Sequence, residues 1–327
     1  MWKLIRPYLR GGYRLLNGLR GFIYDFGRFC KYSGWNGSLD DFEHRNYNAA
    51  MVYHGLEKSL SYKKRSPNSG WRNALELKDM VIKANLTQRA GYHDKAAKVV
   101  LDDFLGLPEN AENDKKLLIE SGLQDIQFES PDRHGALEYS GMNFKRGILK
   151  DPESFFLSRY SLREFKEEIV PKTIIERAVR LAMKTPSVCN RQPWAVYHTS
   201  ESDVKKLALG FQSGNRPFGD KIPNLMVVTT DLKAFFAGSE HYQHWIDGGL
   251  FSMSVIYALH ALGVASCALN WSQDPKVDRD LRKSLNIKPN HTIIMMIAIG
   301  YPDEQNRVCA SARRPLNEVY FDLEKRT

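Results

Sequence analysis

Two runs of polar side chains, about one helix apart, have the residue types that could bind a phosphorylated, planar cofactor. The run 159–165 (RYSLREF) offers two guanidinium groups and a hydroxyl, which suit phosphate oxygens. The run 186–194 (PSVCNRQPW) carries amide side chains, which donate and accept hydrogen bonds as the edge of a planar heterocycle requires. Taken singly, each run has a plainer explanation: a charged surface for the first, and an Asx turn between helix and strand for the second.

The elements that must position these runs alternate between helices and buried strands. A helix opens at Pro171, in the first-turn position that proline favours. Residues 245–262 are so apolar that we expect a helix too heavily buried to lie on a surface. The alternation predicts a layered α+β domain, with a sheet flanked by helices. The predicted strands are 194–199, 224–230, 264–271 and 292–299, and the further helices are 203–209 and 275–285.

The N-terminal half has a different pattern, which is helical and polar-faced from residue 39 to about residue 106. Apolar residues recur at helical spacing in two stripes, and Pro108 closes the second stripe. Residues 107–150 are rich in Glu, Asp, Gly, Ser and Pro, including Ser130-Pro131-Asp132, which is typical of a linker or an extended crossing segment. We therefore predict an arm at 1–35, a helical region with a linker at 36–150, and a C-terminal domain at 151–327.

Residues 1–31 carry most of the net charge of +9. This arm has seven basic side chains and one acidic side chain, Asp25, which gives it a charge of +6. Apolar side chains recur at steps near 3.6 from Ile5 to Phe29, which predicts an amphipathic helix despite five glycines. Such a helix could lie on an anionic membrane surface, or pack on the protein's own body or a second subunit. Nucleic-acid binding is the weakest explanation, because the rest of the chain is nearly balanced in charge.

Composition excludes several classes of protein. With 43% hydrophobic residues among 327, the chain can bury a core. Its four cysteines form no CxxC pair, and His44, His54 and His93 lack metal-ligand spacing, so we expect reduced thiols in a cytoplasmic setting and no metal site. No run reaches the roughly 20 apolar residues of a membrane-spanning helix. Residues 54–61 and the basic loop 63–65 could bind an anion or a partner, although a solvated helix face explains them as well.

Two further motifs lie in the C-terminal part, at 263–271 (GVASCALNW) and 310–319 (ASARRPLNEV). With all four motifs in order, residues from about 155 to 322 resemble the FMN-dependent nitroreductase family. The resemblance implies a nitroreductase-like α+β fold, an added N-terminal helical region, and a homodimer with FMN at the subunit interface. The segment that begins at His54 is similar to one that precedes nitroreductase domains in proteins of bacterial polysaccharide gene clusters.

The same resemblance implies roles for individual residues. The first motif and Arg313 would hold the flavin phosphate, and the turn of the second would reach the flavin bound mainly by the other subunit. The backbone N–H of Asn270 would face the reactive flavin nitrogen. Apart from the resemblance, we expect Cys189 to be a small buried residue. Many relatives carry a lysine where this chain has Ser311, which puts phosphate affinity in question. The implied cofactor-binding residues are Arg159, Tyr160, Ser161, Arg163, Pro186, Ser187, Asn190, Gln192, Leu269, Asn270 and Arg313.

The function implied is that of an FMN-dependent oxidoreductase. Hydride would pass from NAD(P)H through the flavin to an organic acceptor in a ping-pong reaction, with no catalytic side chain because the flavin supplies the redox chemistry. A hypothesis of another class is a flavin-binding regulatory or scaffold protein, recruited by its basic arm to a membrane-associated polysaccharide assembly. Negligible NAD(P)H oxidation together with strong membrane or partner binding would favour this second hypothesis.

Overall fold

The computed structural model describes residues 2–129 and 134–325, so the predicted linker residues Ser130-Pro131-Asp132 lie outside the described part. A helical N-terminal half precedes a half in which helices alternate with strands. The strands are β1 (Trp194–Thr199), β2 (Asn224–Asp231), β3 (Ala265–Asn270) and β4 (His291–Gly300). The helices are α1 (Trp2–Tyr32), α2 (Phe42–Ser61), α3 (Trp71–Leu86), α4 (Tyr92–Leu105), α5 (Asp114–Leu123), α6 (Gly141–Lys145), α7 (Pro152–Leu157), α8 (Lys172–Ala182), α9 (Ser202–Gly210), α10 (Gln243–Ala261) and α11 (Pro275–Ser284).

The four strands form one antiparallel sheet in the order β1-β2-β4-β3. Strand β4 is central, and its Ile297 lies opposite Met226 of β2 and Ala268 of β3. The register shifts once, between Val228 and Thr229, where a β-bulge interrupts the ladder. Strands β1 and β3 are therefore the two edges of the sheet.

Alternate residues of each strand point to opposite faces of the sheet, and helices cover both faces. On one face, Met226 and Val228 pack with apolar residues of α8 and α10, including Phe251. On the other face, Leu225 and Val227 pack with residues of α9 and α11. This layered arrangement confirms the predicted α+β fold class, and the predicted strands and helices of the C-terminal half are confirmed to within a few residues.

Helices α2 to α5 pack as a bundle with a core of their own. Leu56, Leu77 and Leu101 are fully buried in it. Trp71 packs edge-on against Phe104, with 5.0 Å between the ring centroids. The helical pattern predicted for residues 39–106 is thus confirmed. The exact domain boundaries stay predictions.

Helix α1 contacts the body of the protein through its C-terminal third. The Tyr24 hydroxyl donates to the Asp278 carboxylate at 2.6 Å, and the Arg28 guanidinium donates to the His291 carbonyl at 3.0 Å. Phe29 is only 2% exposed and packs with Phe235. Nearer the N-terminus the apolar side chains are exposed: Leu15, Leu16, Leu19, Phe22, Ile23 and Phe26. Among the described helices, none has both the length and the apolar character that crossing a membrane requires.

The linker prediction is wrong over residues 114–123, which form α5. The Asn113 side chain accepts a hydrogen bond from the Lys115 N–H at 3.1 Å and so caps this helix. Ile119 and Leu123 are buried against the bundle core. A short helix with only a narrow apolar stripe is difficult to recognise within a polar segment.

The burial predicted for residues 245–262 holds for one side of α10 only. Phe251, Val255 and Leu259 are buried against the sheet, but Ile246 and Leu250 are 52% and 46% exposed. The sequence is apolar around much of the helix, whereas one chain covers only part of that circumference. The exposed side of α10 is an apolar surface that the described part of the chain leaves uncovered.

Candidate functional site

The first predicted motif lies along the free edge of β3. Ser161 pairs with Ser266 in an isolated parallel bridge, and the Leu162 N–H donates to the Ser266 carbonyl at 3.2 Å. Arg159 and Ser161 are half-buried there, whereas Tyr160 and Arg163 are exposed. The structure therefore brings the first and third motifs together, although they lie about a hundred residues apart in the sequence.

The pairing of Ser266 fixes the direction of the next backbone groups along β3. Its carbonyl points away from β4, because it accepts from Leu162 on the other side. In an antiparallel ladder every second residue presents its N–H and C=O to the same side, so Asn270 also points away from β4. The Asn270 carbonyl indeed accepts from the Gln212 side chain at 3.2 Å. The Asn270 N–H therefore points out of the sheet edge.

Leu269 and Asn270 differ in their surroundings. The Leu269 side chain is 4% exposed and belongs to the core on the α9 and α11 face, whereas Asn270 is exposed. By the same alternation the backbone N–H and C=O of Leu269 point toward β4, so Leu269 offers no polar group at the free edge of the sheet. The Asn270 amide group reaches the Ser272 hydroxyl at 3.5 Å and stays accessible.

Positive charge gathers beside β3. The Arg163 guanidinium donates to the Cys309 thiol at 3.5 Å, which brings the C-terminal segment next to the first motif. Burial raises the pKa of the Cys267 thiol, and the charges of Arg163 and Arg159 act against that rise, so both guanidiniums lie within electrostatic range of β3. Arg313 is exposed, and its guanidinium donates to the Ser311 carbonyl.

Ser311 has a left-handed backbone, with φ of 49°. Together with the Arg313 contact to its carbonyl, this conformation makes a local turn in the last predicted motif. The side chain of Ser311 has no positive charge to offer a phosphate, so the charge of this segment rests on Arg313 and Arg314, both of them exposed.

The second motif forms a compact turn before β1, with an unusual backbone. Cys189, Asn190 and Gln192 all have positive φ angles, of 48°, 52° and 53°. Each such non-glycine residue costs on the order of 1 kcal/mol, somewhat less for asparagine. The Ser187 hydroxyl accepts from the Gln192 N–H at 3.0 Å and so closes the turn. Cys189 is half-exposed, so the prediction that it is a small buried residue is wrong.

A buried ion pair holds the centre of this turn. Arg191 is 1% exposed, and its two terminal nitrogens lie 2.6 Å and 3.0 Å from the Glu240 carboxylate. Burial acts to lower the pKa of Arg191, but the hydrogen bonds and charge of Glu240 outweigh it and raise that pKa. The pKa of Glu240 is correspondingly lowered, although burial opposes the change. The buried Asp247 carboxylate also accepts from the Val188 N–H, at 3.2 Å.

Within one chain the predicted ligands form two groups. The group beside β3 contains Arg159, Ser161, Arg163 and Asn270, whereas the turn 187–192 precedes β1 at the opposite edge of the sheet. Three strand spacings separate these edges, or roughly 14 Å at about 4.8 Å each. Pro186 is exposed, and Ser187, Asn190 and Gln192 are half-buried. The structure thus assembles each group but keeps the two apart.

A pocket of about 400 Å³ adjoins Asn270, between the sheet and α1. Tyr24 and Arg28 of α1 line it on one side, and Trp245 and Trp271 contribute apolar surface. No sequence pattern indicates that the arm reaches the strand end predicted to face a cofactor. An organic ligand next to Asn270 would therefore contact the arm as well.

The second candidate region, residues 54–65, is largely occupied by internal contacts. His54 lies 3.1 Å from Glu57. Arg65 donates to the Ser69 carbonyl at 2.8 Å and pairs with Glu109 at 3.2 Å, and its side chain is only 6% exposed. Because Arg65 ties a loop to the bundle, it has little left to offer an external anion.

Sequence reasoning missed the residues that hold the turn from outside. Glu240 and Asp247 are separated from the turn by more than forty residues, and no local pattern marks them. Tyr53 and His93 of the bundle also contact the turn, through Asn190 and the Arg191 backbone respectively. Only the fold shows that these four side chains meet residues 188–191.

Comparison with known proteins gives the same family for the first part of this region. Residues 157–222 match the Nitroreductase family. A protein of Archaeoglobus fulgidus assigned as an NADH dehydrogenase or NAD(P)H nitroreductase is 26% identical over 153 residues, which are 45% of this chain and 83% of that protein. An iodotyrosine deiodinase of Nematostella vectensis is 23% identical over 186 residues, which are 49% of this chain and 70% of that protein.

Solved structures give a weaker likeness. An FMN-dependent nitroreductase from Clostridium difficile R20291 aligns with a TM-score of 0.45 at 18% identity, over 52% of this chain and 99% of its own. The relatives named here thus correspond to about half of the chain.

Proposed function

Residues 157–222 match the Nitroreductase family, and from this match we propose that the protein is an oxidoreductase that binds FMN and uses NAD(P)H to reduce an organic acceptor. The observation that carries the proposal is the meeting of the first and third motifs at the edge of β3. There two arginines and an outward-pointing backbone N–H lie along one edge of the sheet.

The residues at this edge fit the chemistry of FMN. Arg159 and Arg163 would bind the phosphate with forked guanidinium groups, and the Ser161 hydroxyl would add a hydrogen bond. Arg313 would add a third positive charge from the C-terminal segment. Tyr160 and Pro186 are exposed and suit packing contacts. Leu269, whose side chain is buried and whose backbone groups point toward β4, would support the strand beside the ring without a polar contact.

Bound FMN would accept hydride from NAD(P)H and pass it to the acceptor. The outward N–H of Asn270 would stabilise negative charge that develops on a ring beside it, because a fixed donor needs no reorganisation. No side chain of the site is assigned a proton-transfer role. The pocket between β3 and α1 would hold the acceptor, with Trp245 and Trp271 as its apolar contacts.

We also propose that the active form is a homodimer. The two groups of predicted ligands lie at opposite edges of the sheet, so a single FMN would contact both only if the turn came from a second chain. Apolar surface is available for such an interface: Ile246 and Leu250 on α10 are about half exposed. The C-terminal segment adds Tyr320 and Phe321, which are 68% and 74% exposed.

The absorbance spectrum of the purified protein tests the proposal. We expect bound flavin with its visible bands, and bleaching of these bands when NADH or NADPH is added without oxygen. A colourless protein that FMN does not reconstitute would contradict the cofactor assignment. A yellow protein that neither nucleotide bleaches would contradict NAD(P)H as the electron donor but not FMN as the cofactor. Nitroaromatics and iodotyrosine, suggested by the names of the relatives, would then serve as the first trial acceptors.

The exposed part of α1 supports a further proposal, that the protein associates peripherally with anionic membranes. Leu15, Leu19 and Phe22 are exposed on a helix whose arm carries a net charge of +6. Changing these three residues to serine should abolish co-sedimentation with vesicles that contain phosphatidylserine, while flavin content stays unchanged. Undiminished co-sedimentation of this variant would contradict the proposal. Substitution is a cleaner test than deleting residues 1–31, because deletion also removes Phe29 from the core.

A further inference from the structure

The turn 187–192 cannot owe its shape to local preference alone. Three of its residues have left-handed backbones, and none of the three is glycine. Its internal hydrogen bonds close the turn but leave the side chain of Asn190 to be oriented by its neighbours. Those neighbours are Tyr53 and His93, which belong to the helical bundle.

A chain of hydrogen bonds links the bundle to the side chain of Asn190 and to the backbone of Arg191. The Tyr53 hydroxyl lies 2.9 Å from Nδ1 of His93 and also contacts the Asn190 side chain. The His93 ring contacts the Arg191 backbone. Tyr53 and His93 are only 2% and 5% exposed, so water does not compete for these bonds.

The direction of each bond follows from the chemistry of the partners. Burial lowers the pKa of His93 to about 4, so the imidazole is neutral at pH 7 and has one N–H. The Arg191 N–H already donates to the Val188 carbonyl, and the backbone contact acts to raise the pKa of His93, so the group that meets the ring is the Arg191 carbonyl. A carbonyl can only accept, so the N–H of His93 points to it. Nδ1 of His93 then accepts from the Tyr53 O–H.

The orientation of the Asn190 amide follows in turn. Because Tyr53 has used its one proton on His93, its oxygen can only accept, and Asn190 must donate to it through Nδ2. The carbonyl oxygen Oδ1 of Asn190 then lies on the other side of the amide group.

We propose that Tyr53 and His93 are positioning residues for the flavin edge, which turn Asn190 so that its Oδ1 accepts a hydrogen bond from the ring. The helical bundle is then part of the flavin site rather than a separate module. This inference rests on the proposed FMN function. If the inference is correct, the hydrogen bonds among Tyr53, His93 and Asn190 influence the bound flavin itself and not only the stability of the fold.

The test compares the bound flavin in matched variants of the full-length chain. Tyr53→Phe keeps the ring and removes the hydroxyl, and Tyr62→Phe, at the exposed end of the same helix, is the control. We expect Tyr53→Phe to raise the Kd for FMN about 3- to 10-fold, as the loss of one hydrogen bond implies. The visible absorbance maximum of the bound flavin should also shift. The control should match the wild type in both.

A second pair of variants separates positioning from packing. His93→Gln can still donate to the Arg191 carbonyl and accept from Tyr53, and should keep the wild-type spectrum. His93→Leu can do neither, and should reproduce the spectrum of Tyr53→Phe. If Tyr53→Phe shows no cooperative thermal transition and is therefore not folded, the two His93 variants test the inference in its place.

The outcomes distinguish the inference from the function on which it rests. Wild-type protein that binds FMN, with Tyr53→Phe and both His93 variants unchanged in Kd and spectrum, would overturn the inference alone. A difference between Tyr53→Phe and the wild type that persists in an Asn190→Ala background would also overturn it, because the two residues are inferred to act through one contact. Wild-type protein that binds no FMN would overturn both.

Discussion

The Arg191–Glu240 pair allows a quantitative prediction about the turn. In Arg191→Met, the Glu240 carboxylate loses its charged partner, and the Ala234 carbonyl loses a donor 2.5 Å away. Breaking a fully buried ion pair costs about 3–5 kcal/mol. Here the Glu240 side chain keeps 19% exposure and still accepts from the Phe236 N–H at 2.8 Å. We therefore expect a loss near the lower limit, about 3 kcal/mol.

Thermal unfolding measures this loss against two other variants. A loss of about 3 kcal/mol should lower the Tm by roughly 6–12 °C in a domain of this size. Glu240→Gln keeps only one of the two acceptor oxygens and leaves the buried Arg191 charge without its partner, so it should cost at least as much, about 3 kcal/mol or more. Arg177→Met, on the exposed side of α8, should stay within about 0.5 kcal/mol of the wild type. If Arg191→Met had the same Tm as Arg177→Met, the Arg191–Glu240 ion pair could not be what holds the turn.

Two further predictions concern charge. His244 is 4% exposed, and burial lowers its pKa to about 4. Relative to His244→Phe, the wild type should lose up to about 3 kcal/mol of unfolding free energy as the pH falls from 6.5 to 4, because the unfolded chain binds the proton first. Urea unfolding measures this loss. If the difference between the urea midpoints of the two proteins stayed constant across that range, the lowered pKa of His244 would be contradicted. Arg313→Ala should lose FMN on dialysis faster than the wild type, and equal flavin retention would remove Arg313 from the phosphate site. In the same assay Arg314→Ala shows whether the second arginine compensates for Ser311.

Strands and long helices were predictable because their signals are local. The apolar run that forms β4 and the amphipathic pattern of α8 each lie within about ten residues. Helix α5 was missed because Ile119 and Leu123 are its only buried residues, too few to show a period. The sequence also could not predict that one side of α10 is exposed. Periodicity shows which residues are apolar but not which surface covers them.

The candidate site was predictable only in part, for a related reason. The resemblance named residues in four motifs, and the structure shows that Ser161 and Ser266 meet at one sheet edge. The contacts that orient the turn join residues far apart: Tyr53 and His93 are about a hundred or more positions from Asn190. Such contacts leave no spacing in the sequence, because they depend on how the bundle packs on the C-terminal half.

The N-terminal half is joined to the sheet by polar bonds at several separate places, and this bears on what it contributes. Tyr47 of α2 donates to the Asp231 carboxylate at 3.1 Å, at the end of β2. Lys233, just beyond β2, pairs with Glu43 of α2 at 2.5 Å. Buried polar groups of this kind are costly when one partner is removed. Cutting the chain near residue 150 would therefore expose Asp231 as well as release the turn, so a truncated C-terminal half with poor flavin binding would not show that the bundle contacts the flavin. Point variants such as Tyr53→Phe, which leave the Tyr47 and Lys233 bonds intact, separate the two effects.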